Sequence, residues 1–408
     1  MKCIVIGASA AGISAAKTLR ELDDNINITL VSKDENVYSR CILHHYISSH
    51  RTIDELNFTD KNFFDKYKIN WIKGLEVVKV NDSNKNITLS NNEILEYDKL
   101  IIASGASSFI PPIKGLKEAN NVVGLRNLDD AILIKEKANE IKSAVVLGAG
   151  LVGIDALTGL VDYDIKLSLV EMGNKILPLQ LDKYTSDVYK KAFEDKNVNI
   201  KLDVKAEELI LDENNNPKEL LLNTGEKIPC ELVVVATGVR SNISFLEGSN
   251  IKCDKFGLII DEKGQTSVKD VYGCGDVTGR NPIWPTATKE GIIASKNALG
   301  IEAKMTDFFG SKNTMNFLSI PTLSLGMVEP EDDSYIVEVM KDENNYKKII
   351  HKDGKIYGAI IQGDLSYAGV LTQLIKENID ISKVTKNIFD IDYADFFNIE
   401  KNLEFSYN

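Results

Sequence analysis

The chain is poor in the residues that build metal centres and disulfide frameworks. It has five cysteines and four histidines in 408 residues. Cys3, Cys41, Cys230, Cys253 and Cys274 share no C-x-x-C spacing, so neither a zinc site nor an iron–sulfur cluster is expected. An odd count also argues against a disulfide framework. Any redox chemistry must then come from a bound organic group or from one lone thiol. No apolar run reaches about 18 residues, so no membrane span is expected. No charged leader precedes "MKCIVIGASAAG", and the chain is read as cytoplasmic. Basic blocks are missing as well. With a net charge of −12, nucleic acid is not an expected partner, and the acidity reads as solubility.

What the chain does have is length and glycine in telling places. At 408 residues it exceeds one core and fits two or three domains. In "KCIVIGASAAGISAAKTLREL" the apolar run Cys3 to Ile6 leads into Gly7 and Gly12, with Ser9 between them and an Ala-rich helix after them. Strand, glycine turn and helix together let backbone N–H groups and a helix N-terminus hold a pyrophosphate. The second copy is cleaner. Gly148, Gly150 and Gly153 follow the strand Ala144 to Leu147 in G-x-G-x-x-G spacing. Its next strand, Lys166 to Val170, ends in Glu171, 23 residues beyond Gly148, where a carboxylate accepts from a ribose diol. An acid there repels a 2′-phosphate, and "EMGNK" has no arginine to reverse that, so NADH is expected over NADPH. In the first copy, "NITLVSKDE" puts Ser32 at the acid's place, leaving Asp34 or Glu35 to reach the ribose. A third segment, "VKDVYGCGDVTG", reads as a strand followed by Gly273, Gly275 and Asp276, which suits a ribityl chain.

The order "GASAAG", "YDKLIIASGA", "GAGLVGID", "VVVATGVRSN", "VYGCGD" resembles the pyridine nucleotide–disulfide oxidoreductase superfamily over about the first 300 residues. The resemblance implies an α/β protein with two doubly wound, Rossmann-like dinucleotide-binding domains, the second inserted in the first, and a C-terminal α+β domain. The implied divisions are 1–108 with 240–310 for FAD, 109–239 for NAD(P)H, and 311–408 for an interface or partner domain. It implies FAD contacts at Gly7, Ser9, Ala10, Ala11, Gly12, Lys33, Asp34, Arg40, Cys41, Val77, Ala103, Ser104, Gly105, Gly275 and Asp276. NAD(P)H contacts are implied at Gly148, Gly150, Leu151, Val152, Gly153, Asp155, Glu171 and Gly238. Asp155 stands where the family often has Glu, a position that influences nicotinamide docking. Near the C-terminus, "NNYKKIIHKDGKIYGAIIQGD" has two period-2 runs around Asp353-Gly354, a hairpin signal, and "AGVLTQLIKEN" reads as an amphipathic helix.

Two subgroups compete for the function. "YSR" before Cys41, "NPIWPTATKEG" and the C-terminal "IYGAIIQGD" with "AGVLTQLI" resemble NADH:rubredoxin reductases, the flavin half of nitrite reductases and flavoproteins that accompany carbon monoxide dehydrogenase. That likeness implies hydride transfer from NADH to FAD, then electron delivery to a small carrier such as rubredoxin or ferredoxin, by a monomer or homodimer. The acidic charge counts mildly against an acidic partner unless a basic patch such as Lys347, Lys348 and Lys352 docks it, and a lysine cluster of this kind is more often a solvated strand edge. Alternatively, Cys41 falls where NADH oxidases, NADH peroxidases and coenzyme A disulfide reductases carry one redox-active cysteine. Its thiolate would attack a disulfide or persulfide, favoured by Arg40 and by a helix start in "CILHHYIS". Ala10 replaces the histidine of the oxidases, which counts against oxidase or peroxidase chemistry but not against coenzyme A disulfide chemistry. The remaining residues have quieter readings. His44 and His45 point about 100° apart on a helix, so at most one faces the flavin easily. Cys274, Cys3, Cys230 and Cys253 are read as packing, as are Trp284 and the pair Phe308–Phe309. Trp284-Pro285 is also placed near the flavin's dimethylbenzene edge.

Overall fold

The computed structural model describes residues 1–306, 312–401 and 404–407. Phe308 and Phe309 lie outside the described residues. Two parallel five-stranded sheets organise the first three hundred residues. The first runs in the order Val271–Gly273, Lys99–Ile102, Lys2–Ile6, Asn27–Ser32, Ile69–Lys73. The second runs Asn199–Lys201, Lys166–Val170, Ser143–Leu147, Leu232–Val235, Val122–Gly124. All five residues of the central strand Ser143–Leu147 are buried. This is why it reads as a continuous apolar run: a parallel strand is covered on both faces. Where the chain passes from one unit to the other and back, Ala106–Ser108 and Val239–Ser241 pair antiparallel, so the two crossings lie side by side.

On one face of the first sheet, helices Ala10–Leu22 and Trp284–Ala298 pack against each other. A Cβ on Gly291 would lie 2.3 Å from Ala11 O, and Ser295 Oγ donates to Ala15 O at 3.0 Å. Small residues at the crossing let the two backbones approach this closely. The other face is covered by an apolar cluster that includes Ile4, Val31, Val77 and Leu246.

The C-terminal unit is an antiparallel sheet in the order Lys312–Phe317, Ile320–Gly326, Lys355–Gln362, Tyr346–Lys352, Ile336–Lys341. Helix Ala368–Lys376 buries Leu371 and Leu374 against it. The hairpin turns at Asp353-Gly354, with φ of +49° and +72°, the left-handed pair that a two-residue turn requires. The outermost strand, Ile336–Lys341, is exposed along its whole length.

This unit docks on the second sheet's unit through a polar seam. Tyr189 donates to Ile320 O at 2.6 Å, and Tyr346 donates to Asp182 at 2.6 Å. The expected lysine docking patch dissolves here. Lys348 is buried, its ammonium bonded to Val328 O and Glu329 and 3.5 Å from Asp182. Lys347 lies over the Tyr367 ring, and Lys352 donates to Ser334. Alternation along a strand turned Lys348 inward, and buried Asp182 and exposed Glu329 then fixed it there. One apolar cluster spans all three units, with Leu43 and Ile47 from the first, Leu157 and Val234 from the second, and Met315 and Phe317 from the third. Among the described residues, no helix is long and apolar enough to cross a membrane.

Candidate functional site

The two glycine turns are built on one plan. Gly7 N donates to Val31 O at 2.7 Å, and Gly148 N to Val170 O at 2.9 Å. A Cβ on Gly7 would meet Ala103 O at 2.2 Å, and one on Gly148 would meet Ala236 O at 2.6 Å. A Cβ on Gly12 would meet Gly7 O at 1.8 Å, and one on Gly153 would meet Gly148 O at 1.9 Å. These four glycines are demanded by backbone packed on backbone. Gly150 differs: its Cβ would meet nothing within 4 Å and φ is −73°, so the fold itself does not require glycine there. That free space at a helix start is where a pyrophosphate fits.

Helices Ala10–Leu22 and Leu151–Leu160 begin at these turns without side-chain caps and without acids in the first turn. By contrast, Asn127 and Asp182 cap helices Leu128–Ala138 and Lys183–Glu194. Unpartnered N–H groups and the positive dipole end are thus kept at the two turns, as an anionic phosphate needs. Ala10 and Ala11 are buried and Ser9 half-buried at the first, while Leu151 and Val152 sit half-buried at the second. The residues present fit a dinucleotide at each turn.

At the ends of the second strands the two copies diverge. Glu171 accepts Ala149 N–H and Gly173 N–H, both at 2.7 Å, so its carboxylate braces the glycine loop. Ser32 is buried, taking a hydrogen bond from Trp71 and donating to Asp34 O. Asp34 or Glu35 was expected to reach a ribose; Asp34 accepts from Arg40 at 2.7 Å and from Tyr38 at 2.9 Å, and Glu35 is exposed. Lys33 points to solvent. Val77 buries its side chain in the apolar cluster. Ser104 and Gly105 are fixed by Asn242: Ser104 Oγ donates to Asn242 O, Asn242 Nδ2 to Ser104 O, and Asn242 N to Gly105 O, each at 2.9 Å. Gly238 O accepts Phe109 N–H at the neighbouring crossing.

Cys41 lies where the two units meet. It is open to solvent, yet protein surrounds it: Asp155 of the second unit, Arg126 and Asp276 all act on it. Burial pushes the thiol up, Asp155 pushes it further, Arg126 pulls it down and Asp276 adds to the rise. The net direction is up, opposite to the expected activation. Arg40 does not supply that activation, because its guanidinium is spent on Asp34, Tyr38 and Arg126 O. The expected helix start is also broken. Arg40–Ile42 is a 3₁₀ turn and Leu43–Ile47 a five-residue helix, so there is little dipole to stabilise a thiolate. Cys3, Cys230 and Cys274 are buried, with thiols pushed up by burial, and Cys253 is half-buried.

Arg126, Glu290, Gly159 and Tyr163 at the junction escaped the sequence reading, and His44 and Trp284 gain partners there that it did not name. Arg126 pairs with Asp276 and donates to Ala106 O. Glu290 is buried, accepts Gly275 N–H at 2.7 Å, and is pushed up to about 7 by burial. Helix Leu43–Ile47 is clamped by the second unit: a Cβ on Gly159 would lie 3.1 Å from Ile47, and Tyr163 donates to Ile47 O at 2.6 Å. His44 faces Asp155, Nδ1 to Oδ1 3.1 Å. Burial drives His44 down to about 3 and Asp155 well up, so both favour their neutral forms. Trp284 packs edge-on against Phe58 at 4.7 Å. Among the described residues, no cluster of His, Cys, Asp or Glu is arranged to hold a metal.

Residues 1–291 match the family described as pyridine nucleotide-disulphide oxidoreductase. The chain belongs to that family. It is an oxidoreductase of the flavin- and NADH-using kind, and residues 312–379 match the rubredoxin NAD+ reductase C-terminal domain. The NADH-rubredoxin oxidoreductase of Clostridium acetobutylicum is 30% identical, the alignment covering 96% of this chain and 97% of that one. The NADH-dependent phenylglyoxylate dehydrogenase subunit epsilon of Aromatoleum evansii is 28% identical, with 93% of each covered. Among solved structures, a NAD-dependent persulfide reductase from A. fulgidus superposes with a TM-score of 0.84 at 25% identity, covering 93% of this chain and 77% of that one.

Proposed function

We propose that the chain is an FAD-dependent NADH:acceptor oxidoreductase that delivers electrons to a small carrier protein of rubredoxin or ferredoxin type in the cytoplasm. One observation carries this reading: two uncapped helix N-termini, each behind an identically built glycine turn, one in each parallel-sheet unit. A flavin held there would supply hydride acceptance from nicotinamide and one-electron release to an acceptor.

The chain's own residues bind and position. Gly7, Gly12 and the start of helix Ala10–Leu22 hold the FAD pyrophosphate, and Asp276 accepts a ribityl hydroxyl beside Gly275. Arg126 orients Asp276, and Glu290 holds the Gly275 turn through its N–H. Gly150 leaves room for the NADH pyrophosphate, while Glu171 keeps negative charge where a 2′-phosphate would sit. Asp155 and Cys41, close enough to interact at the junction of the two units, would flank the bound rings. Such positioning brings the reacting atoms together and keeps water out.

The raised Cys41 thiol favours a carrier protein over a disulfide, because nucleophilic attack needs the thiolate. A second reading rests on the openness of Cys41 to solvent: a coenzyme A disulfide or persulfide reductase. A stopped-flow panel separates the two. After NADH bleaches the flavin band, rubredoxin, ferredoxin, oxygen and coenzyme A disulfide are offered to wild type and Cys41→Ser. The carrier reading expects carrier reduction to survive in Cys41→Ser. Turnover on the disulfide alone, abolished by that substitution, would reject it.

A further inference from the structure

Three of the chain's four histidines fall within seven residues, His44, His45 and His50. They form a row from the interior to the surface. His44 is buried, His45 half-buried and His50 exposed. The His44 and His45 ring centroids are 4.2 Å apart, and those of His45 and His50 are 6.3 Å apart. His50 Nδ1 lies 2.9 Å from Ser48 Oγ at the solvent end. At the inner end His44 Nδ1 is 3.1 Å from Asp155 Oδ1, out of line for a hydrogen bond, and has no hydrogen-bond partner among the described residues. A buried ring nitrogen left unsatisfied is costly and needs a reason.

We propose that His50, His45 and His44 form a proton path between solvent and Asp155 at the junction of the two nucleotide units. This rests on the proposed hydride chemistry, which requires such a path. With one-electron carriers, NADH and two oxidised carriers give NAD+, two reduced carriers and one proton. With a disulfide acceptor, NADH, one proton and the disulfide give NAD+ and two thiols. Either way one proton crosses the boundary of a site built to exclude water.

An imidazole can take a proton at one nitrogen while giving up the one on the other, so a row of rings passes charge without storing it. The spacings admit direct transfer or one bridging water. The neutral forms favoured by His44 and Asp155 fit a relay: the carboxyl gives its proton to Nδ1, and the ring releases one outward. The charged groups around the row are few. Asp155 comes from helix Leu151–Leu160, and Cys41 and Arg51 from the row's own segment. On helix Leu128–Ala138, Lys135 is placed over the Tyr46 ring at 4.3 Å.

The test uses the flavin-loaded enzyme with a carrier acceptor and a pH-indicator dye in stopped flow. His45→Ala and His50→Ala should lower the ratio of proton-release rate to carrier-reduction rate by about tenfold or more, with a larger solvent isotope effect. Free imidazole should restore release in His45→Ala, which a merely structural role would not allow. Proton release that keeps pace with electron transfer in both variants would overturn the path. A readout on the resting protein stands apart from turnover: by nitrogen NMR, His44 should stay neutral at pH 5. A His44 that titrates near the ordinary histidine value would overturn the inner end. Failure of NADH to bleach the wild-type flavin would instead sink the proposed function, leaving the NMR result intact.

Discussion

Arg126 is a cation that faces both Cys41 and Asp276, and replacing it reports on both. In Arg126→Met the Cys41 thiol loses the charge that pulls it down. Alkylation by iodoacetamide at pH 8 should slow several-fold, and flavin should dissociate more readily as Asp276 loses its partner. Unchanged alkylation would place the guanidinium elsewhere. Glu290 gives a signed pH prediction. Its carboxyl is pushed up to about 7 by burial, against an ordinary value of 4.5. The folded state therefore holds the proton more tightly, a stabilisation complete below pH 4.5 and lost as pH rises through 7. Glu290→Gln keeps the neutral shape, so its melting temperature should exceed wild type at pH 8 by the equivalent of about 3 kcal/mol, the two converging toward pH 4.5. The glycines were legible at this scale because their spacing is local. Arg126, Glu290 and the pairing of His44 were not, because what gives each its meaning is a partner outside its own local pattern: Asp276, Gly275 and Asp155.

The glycine turns divide into positions the fold needs and a position a ligand needs. In Gly153→Ala the new methyl would lie 1.9 Å from Gly148 O, so the helix must move. A loss of several kcal/mol in stability is expected. Gly150→Ala meets no protein atom, so its melting temperature should match wild type while NADH binds at least tenfold more weakly. Equal stability of the two variants would show that the contrast is wrong. Parallel strands and the Asp353-Gly354 hairpin were readable because burial on two faces and a two-residue turn each leave a compositional trace. The segment "CILHHYIS" was misread as a continuous helix. Ile42 adopts φ −125°, ψ 18°, outside the helical region, and breaks the run in two. Packing against helices of the second unit decides that break, and no local pattern announces it.

Across the whole molecule, the C-terminal sheet rides on the second unit through Tyr346, Asp182 and Tyr189. Tyr346→Phe strips a hydrogen bond from a carboxylate that is 5% exposed. A cost of about 1–3 kcal/mol follows. It should be visible as a lower denaturant midpoint with cofactor content retained; an unaltered midpoint would mean the seam contributes nothing. The arrangement of three units was foreseen from motif order, but not which unit carries the third, because that choice rests on side chains scattered over more than a hundred residues. One consequence follows from the short helix Leu43–Ile47, which belongs by sequence to the first unit and is gripped by Gly159 and Tyr163 of the second. The two halves are fastened together beside Cys41 by that close approach and that hydrogen bond. The stretch that bears the cysteine is thereby tied mechanically to both units, and any hinge between them has to lie away from it.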